Sequence, residues 1–498
     1  MSSKRGILAL IVAFALQSTG AAAATYYIDY ASGSDSNTGL SKGSPWQRCP
    51  GMSGFSARYS HTPGDTFIFK GGATWPSVCL PLALTSSGTA GNVDTYTTDH
   101  AWYSGGAWSQ PTFDGEMRGA ALGGHLVNVQ AKSYWKLNDI SLVRLNASTT
   151  YLTGFAVEIC DSHDFEIVGC TINPEARCGV YAYTSRAVGT LANWSIHDCD
   201  VSHCAMQICP TVTSPNIIVS NVRIFGNKVH DNASQINGGT HGDGVHTWVN
   251  YSTSEINGIY IYNNYFYGSV ITADGTAGMT AWIYLTDYTN HSYIWNNVFT
   301  FSDTTQNGYN LFEGMVIVQG KGTTTSSYHY IYNNTFRGLG YPAVSVGPPI
   351  FVGNGAAGVD NIFIENNAVA GFALGVGFDT GVTPAHVTVD YNCLGTLKNS
   401  DSAGIWGGAW KTRAQWQALG LDLHSKWVDP QLDTSNPPYL TLRQGSPCMG
   451  AATNLGPSYG LDIVGTTRPA SGAWDIGCYQ RSMSVEAPET PLHLRVLP

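Results

Sequence analysis

An all-β stack of short parallel strands, a parallel β-helix, is the fold class predicted by three observations. One strand-corner-strand template recurs nine times, the distance between copies varies, and the chain is rich in glycine but poor in charge. The copies start at Lys136, Glu166, Ser195, Arg223, Tyr260, Tyr293, Tyr330, Phe363 and Thr388 and read as KLNDISL through YIYNNYF to TVDYNCL. Their fifth residues are Ile140, Cys170, Cys199, Asn227, Asn264, Asn297, Asn334, Asn367 and Asn392, at steps of 25 to 37 residues. A leucine-rich repeat requires regular leucines every 20 to 29 residues and a propeller blade about 40 to 50, whereas a β-helix places a loop of any length between rungs. Each turn then adds a rung of short strands whose inward side chains stack on those of the rung before.

The segments follow in chain order. Residues 1–24 have the pattern of a secretory signal: Lys4 and Arg5, an apolar run from Ile7 to Leu16, and Ala22 to Ala24 as a small-residue cleavage site. Residues 25–120 are expected to form an N-terminal cap and first coils, and residues 121–395 the β-helix core. Residues 396–485 would close the other end, with an amphipathic helix near Lys411 to Gly420, because an open stack leaves strand edges that recruit other chains. The Pro- and Glu-containing tail 486–498 is expected to be loose. In the core, Asn227, Asn264, Asn297, Asn334, Asn367 and Asn392 should form a corner ladder, since Asn tolerates the left-handed conformation and stacked amides hydrogen-bond along the axis.

Composition narrows the function. The 498 residues carry 24 Lys and Arg against 34 Asp and Glu, a net charge of −10, which argues against a nucleic-acid partner. Loss of Lys4 and Arg5 with the signal would take −10 to −12. No stretch after the signal has the roughly 18 apolar residues of a membrane span. All 11 cysteines follow the signal, which suits a secreted protein in an oxidising compartment, periplasmic or extracellular. Cys199, Cys204 and Cys209 lack the paired spacing of a zinc site, so no metal is assigned to them.

At this level the chain resembles secreted right-handed parallel β-helix proteins, the group of many polysaccharide lyases, β-helical glycoside hydrolases and mannuronan epimerases. The N-terminal segments Tyr26 to Gly39, Gly64 to Trp75 and Ser87 to Asn92 resemble that group's first strand, first coil and following turn. Trp427 to Pro430, Gly445 to Gly450 and Trp474 to Gln480 resemble its closing segment, in which small residues usually stand at the positions of Cys448 and Cys478. Those two departures, close in sequence, favour a Cys448–Cys478 disulfide. The resemblance implies a right-handed coil and a polysaccharide ligand.

The chemistry is expected on the strand that precedes each template, in the segments at Thr153, Cys178, Cys204, Asp243, Ala277, Glu313 and Pro342. With Val180, Val245 and Met279 inward, alternation puts Tyr181, Tyr183, Gln207, His246, Trp248, Thr280, Trp282 and Tyr284 outward. Aromatic rings along a groove bind the apolar faces of sugars. A plain cross-strand aromatic row is the other reading. The hexapeptide from His241 to His246 is the densest polar cluster, and Asp243 and Glu313 are expected in one column two rungs apart. That spacing would put their carboxyls about 6.5 to 9.5 Å apart, the arrangement of an inverting glycosidase. Asp274 and Glu158 are reserve acids.

Hydrolysis of an extracellular polysaccharide by Asp243 and Glu313, with His246 and His241 assisting, is the leading expectation. It requires no cofactor. The alternative is a lyase on a uronic-acid-containing glycan, with His246 as base and Arg177 or Ca²⁺ neutralising the substrate carboxylate. The epimerase signature Tyr-Gly-Phe-Asp-Pro-His is matched only in the spacing of Asp243 and His246, so its tyrosine base is not carried over. A third reading is a non-catalytic, adhesin-like glycan binder in which the hexapeptide is only a tight turn.

Overall fold

The computed structural model describes residues 22–146, 153–186, 190–232, 242–271, 279–303, 313–320, 326–339, 347–353, 358–395 and 401–481. The expected signal up to residue 21, the tail, His241 and Asp274 therefore lie outside the described residues. The rest forms a parallel β-helix. Three sheets of 12, 11 and 12 strands run side by side, and successive strands of the chain visit the first, second and third sheet in turn. Their ladders are parallel apart from the terminal pair Ser402–Trp406 and Ala409–Thr412.

Each sheet contributes one apolar column to the interior. The first stacks Leu137, Ile167, Ile196, Ile224, Ile261, Ile294, Ile331 and Ile364 in register. Leu142, Ile172, Val201, Val229, Phe266, Phe299 and Phe336 line the second, with the last three rings stacked at 4.9 and 4.7 Å. The third stacks Val157, Val180, Ile208, Val245, Ile283, Val316 and Ile350. β-branched residues dominate because they pack well on a pleated surface that is buried on its inner face.

The asparagine ladder joins the first sheet to the second. Asn264 donates from Nδ2 to Asn297 Oδ1 at 3.0 Å, Asn297 to Asn334 at 3.0 Å, Asn334 to Asn367 at 3.1 Å and Asn367 to Asn392 at 3.1 Å. The left-handed conformation falls on the preceding residue, at Asn263, Asn296, Asn333 and Asn366 with φ of 56°, 53°, 52° and 61°. Each Asn-Asn pair thus divides the work, the first residue making the corner and the second bonding along the axis. Cys170 and Cys199 continue the same column toward the N-terminus, where the Cys199 N–H donates to Asn227 Oδ1.

The stack begins with Thr25–Ile28, paired to Thr66–Gly71, so the N-terminal region is built into the sheets and its cap is the Tyr26, Trp46, Tyr59 and Phe67 ring cluster. The helix Arg413–Gln417 is present, started by a capping box of Thr412 and Gln415. Beyond it, however, the closing segment runs back along the flank of the second sheet and covers Val298, Ala368 and Cys393 with Leu440, Trp474 and Ile476. The expected Cys448–Cys478 bond is not formed. All eleven cysteines are free thiols; Cys448 contacts Cys393, and Cys478 Sγ donates to Thr335 Oγ1 at 3.2 Å.

Candidate active site on the third sheet

The outer face of the third sheet departs from strict alternation at one point in each of four successive rungs. Val180, Ile208, Val245 and Ile283 face the core, and so do the residues just before them, Gly179, Gln207, Gly244 and Trp282. A Cβ at Gly244 would lie 2.6 Å from the Trp282 carbonyl oxygen and 3.2 Å from the Phe266 ring, so that position points inward and only glycine fits it. Two consecutive inward residues bend the strand. The outward positions become 243, 246 and 248 in Asp243–Val249, and their equivalents in neighbouring rungs.

This bend corrects three expectations. Gln207 is fully buried and Trp282 is a core residue, its Nε1 donating to Thr300 O at 3.0 Å, so neither lines a groove. Glu313 is one residue out of the Asp243 column: Asp243 pairs with Ala281, and Gly314 N donates to Thr280 O, which puts Gly314 beside Ala281. Tyr181, Tyr183, His246, Trp248 and Tyr284 face outward as expected, with Trp248 the most open at 44%.

The same bend brings Asp243 and His246 together. Asp243 Oδ2 lies 3.0 Å from His246 Nδ1, and Asp243 Oδ1 accepts the Ala281 N–H at 3.1 Å. Asp243 is completely buried and His246 nearly so. Burial opposes a charge on His246, but the Asp243 carboxylate outweighs it, helped by Cys209 and Asp287, and its pKa is raised. The imidazole is thereby held as an imidazolium over a wider pH range than usual.

Tyr284 occupies the next rung, its ring centroid 5.0 Å from that of His246 and its hydroxyl donating to Gln319 Oε1. Burial first, then Asp243, Glu313 and Asp287, push its phenol up to about 12. Tyr284 thus feels both carboxylates of the expected pair. Asp243 is sealed beneath His246, while Glu313 is exposed.

Toward the N-terminus the face continues as an aromatic patch. Phe155 stacks on Tyr181 at 4.5 Å and Tyr181 on Tyr183 at 4.7 Å. The Tyr183 hydroxyl donates to Glu158 Oε1 at 3.0 Å, and Glu158 Oε2 lies 2.6 Å from His125 Nδ1. Burial raises the pKa of Glu158, but His125 and Tyr183 outweigh it, and the net shift is downward. Half-buried Arg177 acts on Tyr181 and Cys178, two strands from His246. Sequence reasoning missed Phe155, His125, Met206 and Phe351 on this face; the register that aligned Tyr181 with His246 would have found them.

Among the described residues no group of three or more His, Cys, Asp or Glu side chains converges to hold a metal ion. Cys199, Cys204 and Cys209 separate accordingly. Cys199 stands in the corner column, Cys204 packs under Gly179, and Cys209 faces outward with Met206 and Cys178.

No family model matches the chain, and no curated protein matches it. Among solved structures it is similar to the pectate lyase Pel9A, with 14% identity over 93% of this chain and 97% of that one, at a TM-score of 0.42. It is similar also to a mannuronic-acid-specific family 6 polysaccharide lyase from human gut microbiota (11% identity, 70% and 72% of the two chains, TM-score 0.37). A third is the GH136 lacto-N-biosidase of Eubacterium ramulus (10% identity, 82% and 67%, TM-score 0.38). Likenesses of this size assign no activity. The parallel β-helix class rests on the strand pairing of the chain itself.

Proposed function

We propose that this is a secreted carbohydrate-active enzyme that hydrolyses a glycosidic bond of an extracellular polysaccharide at His246. The observation that carries the reading is the Asp243–His246 pair on an outward face flanked by aromatic side chains. It changes the roles expected from sequence. Asp243 is too deeply buried to reach a glycosidic oxygen, so it orients His246 and stabilises its charge. His246 in its protonated form donates the Nε2 proton to the leaving oxygen as the bond to the anomeric carbon breaks. Exposed Glu313 accepts a proton from the water that attacks that carbon, and the proton returns through solvent to restore His246. Tyr181, Tyr183 and Trp248 offer apolar surface for sugar rings.

Elimination from a uronate is the second reading, favoured by the contact of His246 with Tyr284, which would serve as base and acid. The charges favour hydrolysis. An anionic sugar at His246 would meet Asp243, Asp287 and Glu313, while Arg177 sits two strands away, so this reading needs a cation such as Ca²⁺.

The test is incubation with neutral and acidic polysaccharides, reading reducing ends together with the ultraviolet absorbance of unsaturated uronates. Reducing ends without that absorbance, lost by about a hundredfold or more in His246→Gln and Glu313→Gln, are expected. The absorbance, dependent on calcium, would replace hydrolysis by elimination. Glycan binding without any product would leave a non-catalytic binder.

A further inference from the structure

A second groove lies on a different wall of the coil, the outer face of the first sheet. There Lys136, Glu166, Ser195, Arg223, Tyr260, Tyr293 and Tyr330 form one axial column in strict register. Beside its first half, Tyr134, Asp164, Asn193 and Asn221 take positive φ of 57°, 51°, 61° and 54°. Tyr134 and Asp164 stand just before their strands, Asn193 and Asn221 interrupt theirs, and together they give a second row of side chains beside the column. That row is a built ladder: Asn193 Nδ2 donates to Asp164 Oδ1 at 2.7 Å, Asn221 Nδ2 to Asn193 Oδ1 at 2.6 Å, and Arg223 Nε to Asn221 Oδ1 at 2.8 Å. With the turn at Ala90 to Val93 as end wall, the two rows border a shallow, open depression of about 580 Å³.

The acidic and basic groups of the cleft balance. Glu166 binds Lys136 at 3.2 Å and His197 at 2.8 Å, Asp164 lies 2.7 Å from His163, and exposed Arg223 keeps its charge while held by Asn221 and lying 5.9 Å from the Tyr260 ring. What it presents to a ligand is amides and hydroxyls interspersed with charges of both signs, not a field of one sign. Tyr260, Tyr293 and Tyr330 prolong that line as half-buried rings stacked at 4.9 and 4.8 Å with planes within 7°. Rings stacked in this way turn their edges outward. Tyr459 of the closing segment stands beside them, close enough for all three to raise its pKa after burial.

We propose that this groove is a non-catalytic binding site for a linear, uncharged glycan. The match is chemical and geometric. One polar group per rung, about 4.8 Å apart over seven rungs, faces a polymer that advances by about one strand spacing per sugar and carries hydroxyls that both donate and accept. A polyanion would meet Arg223 flanked by the Asp164 and Glu166 carboxylates, and a polycation those carboxylates flanked by Arg223, so neither finds a run of opposite charge. The site rests on the carbohydrate reading above and would hold polymer on the enzyme while His246 acts elsewhere.

The probe is the full chain carrying His246→Gln, run by native affinity electrophoresis through hydroxyethyl cellulose, glucomannan and xylan, with alginate and polygalacturonate as anionic controls. Retardation by a neutral glycan is expected, weakened fivefold or more when Arg223→Ala and Tyr293→Ala are added. Tyr293→Phe with Tyr330→Phe keeps the ring stack and should weaken it in the same direction. The same substitutions in the active chain should leave cleavage of short oligosaccharides unchanged. Retardation that survives both sets of substitutions, retardation by the anionic glycans alone, or no retardation at all would overturn the proposal. Any of these beside normal cleavage leaves the hydrolase reading intact. Retardation without cleavage by the unsubstituted chain would sink the hydrolase reading and keep the groove.

Discussion

At His246 the balance between burial and nearby negative charge decides the protonation state, and with it the direction of the pH dependence. Its pKa is raised because Asp243 outweighs desolvation. Activity that needs the imidazolium should therefore hold above the usual histidine range near 6.5 and fall once pH passes the raised value. Asp243→Asn should move that falling limb of the pH–rate profile to lower pH; an unmoved limb would separate the two residues. His230 follows the same sign in stability. Burial opposes its charge, but hydrogen bonds to Asp200 and Asp231 bring it up to about 9. Its contribution is complete below the unfolded value of about 6.5 and is lost as pH rises toward 9. His230→Gln should flatten the decline of the denaturation midpoint across that window. Asp243 and His246 were legible from their spacing in the sequence. The burial of Asp243 was not: Gly244 and Val245 both face inward and turn Asp243 outward, where the His246 side chain covers it, and a period of two reports neither the bend nor the cover.

At the scale of the element, the corner ladder turns a repeated residue into structure. Asn297 accepts from the Asn264 N–H and Nδ2 and donates to Ile261 O and Asn334 Oδ1, all fully buried. Asn297→Ala strands these groups without solvent, and each orphaned buried donor or acceptor costs about 1 to 3 kcal/mol. A loss of about 2 to 5 kcal/mol in chemical denaturation is expected, whereas an exposed position such as Thr388→Ala should change little. The ladder was legible because its residues recur at one place in the template. The groove on the first sheet was not: Tyr134, Asp164, Asn193 and Asn221 stand two residues before the template starts, and it is their shared left-handed backbone that marks them as one row. Glu313 was misplaced by one position for a related reason, since loops of unequal length leave register to the interior packing.

For the whole molecule, the stack needs its flank covered as much as its ends. Arg468 does this from within the closing segment: it is buried and donates to the Asp475 and Gly477 carbonyls and to Asn296 Oδ1 on the corner. Arg468→Met should release the closing segment, seen as new protease cleavage between residues 430 and 481 at protease levels that leave the parent intact. Repeat spacing made the architecture readable. The path of the closing segment was hidden because it depends on the outward residues Val298, Ala368 and Cys393, which no inward periodicity reports.

In the proposed reaction, proton transfer at His246, held by buried Asp243, cleaves a polysaccharide. The decisive experiment is turnover of the chain on a cleavable polysaccharide beside His246→Gln, with circular dichroism and reducing-end release measured on the same samples. An unchanged spectrum and activity lowered by about a hundredfold or more are expected. An unchanged spectrum with near-parental turnover would remove His246 from the reaction.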